Sequence, residues 1–118
     1  MVQLDITYEI ARRQAEEGMG LAIDRAERDV PGWSDLALAF LKRYAERNTE
    51  FPGFFVTMAA ETDPNFPALA EDRAWGGVWK RAARMGIVRD TSRTMKHPRR
   101  HGVKATVWRS MVYVGPTA

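Results

Sequence analysis

Between residues 73 and 85 two side-chain chemistries separate at helical spacing. Trp75, Val78, Trp79, Ala82 and Met85 recur every three or four residues, while Arg73, Gly77, Lys80, Arg81 and Arg84 fall on the opposite side. A strand, with its period of two, would mix the two sets; a helix sorts them. The spacing therefore predicts a core helix from Leu69 or Asp72 to Met85, with tryptophans inward, cations outward and Gly86 as its C-terminal cap. Gly77, on the outward side, has no side chain to hold a backbone or a groove wall away.

The charge distribution gives that outward face a context. Residues 1–72 hold 7 Lys/Arg against 14 Asp/Glu, a net −7, whereas residues 73–118 hold 11 Lys/Arg against Asp90 alone, a net +10, with His97 and His101 beside them. A surface of one sign raises the local concentration of an oppositely charged polymer, so the basic half points to a nucleic-acid partner. At 118 residues and 45% apolar content, the chain fits a single domain with a modest core. The lack of cysteine excludes disulfides, thiolate zinc sites and cysteine nucleophiles, and suits a reducing compartment. The charged first residues lack the apolar stretch of a signal peptide. Since no apolar run approaches the ~20 residues that cross a bilayer, the expectation is a cytoplasmic protein with no membrane contact.

Upstream, residues 4–30 are mostly good helix formers, with Ile6, Ile10, Ala15, Met19, Ala22, Ile23 and Ala26 in an apolar stripe. Gly18 and Gly20 interrupt the stripe, and close packing of another helix is the expected reason. Pro31-Gly32 stops this helix. Ser34 is the expected N-cap of the next, whose core positions are Leu36, Ala37, Phe40, Leu41 and Tyr44, with Asn48 at its end. Thr49-Glu50-Phe51 reads as a minimal strand and 54–60 as a short buried helix. A loop follows at Asp63-Pro64 and Phe66-Pro67. After Gly86, Ile87-Val88 begins a strand, residues 93–104 are too polar to pack and form an exposed loop, and residues 105–114 return as a second strand.

This order gives the expected fold class: mainly α with a small antiparallel β-hairpin, a winged helix-turn-helix (residues 33–114) with an extra N-terminal helical extension (residues 1–32). The exposed loop is then the wing. Arg73, Lys80, Arg81 and Arg84 enter or flank a major groove, and Arg93, Lys96, Arg99, Arg100 and Lys104 hold phosphates. The N-terminal helix offers a surface for a homodimer, although packing on the chain's own core suits its residues equally well.

Thr49-Glu50-Phe51, Ala74-Trp75-Gly76, Gly86-Ile87-Val88, His101 and Val107-Trp108-Arg109 together form a pattern over residues 49–109, about half the chain. In it the chain resembles a group of small proteins of temperate phages and prophages. That resemblance implies a winged helix-turn-helix module and duplex DNA binding, as a transcriptional regulator or a DNA-processing accessory factor. The segment 65–73 departs from the group's pattern, which leaves the start of the basic helix open.

Enzyme readings fare poorly beside this one. His97 and His101 have a metal-ligand spacing only on a helix, which Pro98 and Gly102 oppose. The acids form no compact motif for a metal, Ser34, Ser92 and Ser110 lie in no nucleophile elbow, and no glycine-rich loop precedes a helix. No catalysis, metal or cofactor is expected. Stacking of bases on Trp75, Trp79 or Trp108 is weaker than core packing as an account of the first two, and strand alternation leaves Trp108 and Val107 competing for the inward side. The alternatives to duplex DNA are RNA or single-stranded DNA, and a protein-interaction module that engages a nucleic-acid-binding machine.

Overall fold

The computed structural model describes residues 13, 17, 20–67 and 72–116. In chain order these form helix α1 over residues 20–29, α2 (Trp33–Arg47), strand β1 (Glu50–Pro52), α3 (Gly53–Thr62), a 3-10 turn (Asp72–Ala74), α4 (Trp75–Arg84), β2 (Val88–Lys96) and β3 (Lys104–Ser110). The strands make an antiparallel sheet ordered β1-β3-β2, and the whole is a small α+β domain. Ile6, Ile10, Ala15, Gly18 and Met19 lie outside the described residues.

The core sits between the helices and one face of the sheet. Trp33, Ala37, Leu38, Leu41 and Ala45 of α2 are buried with Val56 and Ala60 of α3, Trp75, Val78, Trp79 and Ala82 of α4, and Phe51, Ile87 and Val88. Aromatic rings set much of its geometry, Trp33 meeting Trp75 edge-on at 5.5 Å and Trp79 lying between Phe51 and Trp108. Ala22 and Ala26 of α1 belong to the same cluster, so the described part of the N-terminal helix spends its small apolar residues on the chain's own core.

Several sequence expectations need correcting. The stripe of α2 is rotated, because Leu36 is 48% exposed and Trp33, one residue ahead of the expected cap, is fully buried. Ser34 is not the cap. α2 starts at Trp33 behind Gly32 in the left-handed region, and the carboxylate of Glu27 accepts hydrogen bonds from Gly32 N, Ser34 N and Ser34 Oγ. A carboxylate at a helix N-terminus meets the unpaired N–H groups and the positive end of the dipole, so Glu27 caps α2 from the preceding helix. Its pKa is lowered, first by the Ser34 hydroxyl and then by the two backbone donors.

Among the described residues nothing lies within 4 Å of the Cβ position of Gly20, so none of their helices packs over it. β3 ends at Ser110 instead of continuing to residue 114. Beyond it, Met111 N donates to Ile87 O and Val114 N to Glu46 O, tying the tail to α2. Asn48 ends α2 as expected, its side chain donating to Tyr44 O.

Candidate nucleic-acid interface

α4 is shorter than its sequence pattern, since the 3-10 turn takes up Asp72–Ala74 and Met85 is the C-cap, 59% exposed. Ile87 N donates to Ala82 O and Gly86 N to Ala83 O, with Gly86 at φ +76°. This Schellman closure directs the chain straight from the helix into β2. Trp75, Val78, Trp79 and Ala82 face the core, as their spacing predicts.

Opposite them, Arg73, Lys80 and Arg84 are exposed along one stripe. The other two residues of the outward side differ from the sequence reading. A Cβ on Gly77 would lie 2.0 Å from Ile23 Cδ1, so this glycine admits α1 across α4 and is not an opening for a groove wall. Arg81 turns to the flank and pairs with Asp35 of α2 at 2.9 Å.

The hairpin is longer and its loop shorter than expected. Arg93 to Lys96 belong to β2, and only residues 97–103 connect the strands. That loop is exposed but tethered. The His97 ring packs against Phe54 with centroids 4.9 Å apart, its Nδ1 accepts from Arg99 N, and Arg99 pairs with Glu61 of α3 at 3.2 Å. Halfway along β2 the register slips, Asp90 pairing with Trp108 and Thr94 with Thr106, so that three residues of β2 oppose Val107 alone. Ser92 sits in this bulge at φ +64°. Its N–H donates to Asp90 Oδ1, and Thr91 Oγ1 donates to Val107 O.

Between α4 and the hairpin runs a cleft of about 450 Å³. Gly53 and Gly76, the stacked pair Trp79 and Trp108, and the cationic side chains Lys80 and Arg100 line it. Trp108 thus faces inward, its ring parallel to Trp79 at 4.9 Å. Val107, on the other face by alternation, is buried as well, outside the main cluster. Asp90 also reaches the cleft.

Not all of the nine predicted cations are equally placed. Arg73, Lys80, Arg84, Lys96, Arg99, Arg100 and Lys104 are exposed on α4, its leading turn and the hairpin. Arg81, Arg93 and Arg99 are held by Asp35, Glu50 and Glu61. The acidic half therefore shares the charge of the basic half, contrary to a clean division at residue 72. These pairs are solvent-exposed and each contributes roughly 0–1 kcal/mol, so a phosphate can replace the carboxylate. Sequence reasoning missed Arg89 and Arg109, direct partners across β2 and β3, because only the strand register brings them together.

Among the described residues no helix is long and apolar enough to cross a membrane. No family model, curated protein or solved structure matches the chain.

Proposed function

We propose that this chain is a duplex-DNA-binding protein of the winged helix-turn-helix type, with α4 as recognition helix and the β2–β3 hairpin as wing. Three helices and three strands in the order α2–β1–α3–α4–β2–β3, with β3 central in the sheet, support that fold. The observation that carries the function is the stripe of Arg73, Lys80 and Arg84 on a helix locked from behind by Trp75 and Trp79. Such a helix holds the backbone from which its cations project, and guanidinium forks match guanine edges in the major groove. Lys96, Arg99, Arg100 and Lys104 hold phosphates beside it, and Arg81 exchanges carboxylate for phosphate. α1 crosses α4 at Gly77, within the stripe between Arg73 and Lys80, so the duplex approaches from the side of the cleft toward the hairpin, which Lys80 and Arg100 line. The resemblance to phage and prophage proteins makes a transcriptional regulator or DNA-processing accessory factor the fitting role.

Fluorescence anisotropy against duplex DNA tests this reading. With about five phosphates neutralised, log K falls against log salt with a slope of about −4 to −5. Sequence selection from a random duplex pool then compares the wild type with a variant in which Arg73, Lys80, Arg81 and Arg84 are alanine. Equal enrichment removes the recognition-helix assignment, and preferential capture of RNA or single strands at fixed salt replaces duplex DNA as the partner.

A further inference from the structure

The sheet has a second charged face, turned away from α4. Phe51, Val88 and Trp108 mark the inner face by their place in or against the core. Arg89 and Arg109 alternate with these and are direct cross-strand partners. Like charges placed opposite one another on neighbouring strands destabilise a sheet. Glu50 of β1, the cross-strand partner of Arg109 on its other side, pairs with Arg109 at 3.7 Å and also with Arg93. One carboxylate thus serves two guanidinium groups, and Arg89 makes no ion pair among the described residues. The Ser92 bulge turns Arg93 onto this face. A hollow of about 310 Å³ lies between Arg89, Arg93 and Arg109. Asp90 borders it too, its carboxylate accepting the Ser92 N–H at 2.8 Å, and among the described residues Glu50 is the carboxylate that pairs with these cations.

We propose that this outer face is a second phosphodiester-binding site, where Arg89 and Arg109, with Arg93, grip the backbone of a nucleic-acid segment distinct from the one at α4. Planar guanidinium groups present paired donors to phosphate oxygens, and the anion relieves the repulsion between Arg89 and Arg109. Because the two faces of a sheet point in opposite directions, a straight duplex lying on α4 does not reach this site. One chain therefore bridges two duplex segments. The inference rests on the DNA-binding reading.

A bridging assay tests it: one 30-base-pair duplex on beads, a second duplex labelled and free, and the full chain added at low salt. The wild type carries the labelled duplex onto the beads. An Arg89→Glu, Arg109→Gln variant loses that capture at least tenfold while its affinity for a single duplex in solution stays within about threefold. The milder Arg89→Gln, Arg109→Gln variant gives an intermediate loss and decides the matter if the first does not fold. Lys80→Glu with Arg84→Glu lowers both readouts. Undiminished capture by the outer-face variants, as a homodimer would give, overturns the second site while leaving DNA binding intact. A wild type that binds one duplex but never bridges also overturns it, whereas a wild type that binds no duplex overturns the DNA-binding reading itself.

Discussion

α4 and the β2–β3 hairpin both carry cations outward, yet they are held in opposite ways. The helix has one face committed to the core through Trp75, Val78, Trp79 and Ala82, so the backbone that carries its cations is held by large buried rings. In β2 only Val88 is buried, and from Arg89 onward both faces are largely open. Its placement depends on ties to other elements: Trp108 on Trp79, His97 on Phe54, Arg99 to Glu61, and Arg93 with Arg109 to Glu50. Packing gives a rigid display at a cost concentrated in a few residues. Weak surface ties give a display that each anion can rearrange.

Trp79→Ala breaks this contrast most severely. It empties a site beside Phe51 and Trp108, and urea unfolding should show a loss of about 3–5 kcal/mol, a large share of a small domain's stability. Trp108→Ala removes the hairpin's half of the same stack from a partly exposed position and costs less, roughly 1.5–3 kcal/mol. Amide exchange should then rise in β2 and β3 ahead of α4.

Glu27→Gln sharpens the helix side by weakening the cap of α2, the element that supplies Asp35 to Arg81. The folded state holds Glu27 below its ordinary value of 4.5, through the hydroxyl of Ser34 and two backbone N–H groups. A lowered folded pKa means the stabilisation is complete above the unfolded value and is lost as pH falls through the folded one. The wild type should therefore lose stability on acidification below about pH 4.5 more steeply than Glu27→Gln, as thermal melts across pH 2.5–7 would record.

Ser92→Gly relieves a left-handed residue in the bulge and should stabilise by about 0.5–1 kcal/mol. If Ser92 instead loses stability on this change, the bulge is not strained. Arg99→Ala, which breaks only the exposed pair with Glu61, should move stability by less than about 0.5 kcal/mol. On the proposed DNA-binding reading, its effect belongs in the salt slope, reduced by about one when a phosphate contact is lost.

How legible each region was follows the same contrast. Trp75, Val78, Trp79 and Ala82 announced α4 because burial on one side of a helix imposes a 3.6-residue period, and Gly86 announced its end. The short strand at Glu50 and the helix after Gly53 were legible for similar reasons, through Pro52-Gly53 and the apolar run beyond. β2 carries no alternation, since neither of its faces is buried past Val88, so Arg93 to Lys96 read as loop. Trp33 lay ahead of the expected cap at Ser34 and so outside the expected stripe, although it stands four residues before Ala37 and eight before Leu41.

The sequence by itself determined a basic half, a helix with cations opposed to tryptophans, and an antiparallel pair after it, because charge and periodicity are local properties written along the chain. Tertiary structure alone decided that Gly77 lies under Ile23, that Glu27 caps α2, and that Asp35, Glu50 and Glu61 reach across to Arg81, Arg93 and Arg99. It also set Arg89 against Arg109. These are encounters between distant segments, fixed by strand register and helix crossing, and no local pattern encodes them.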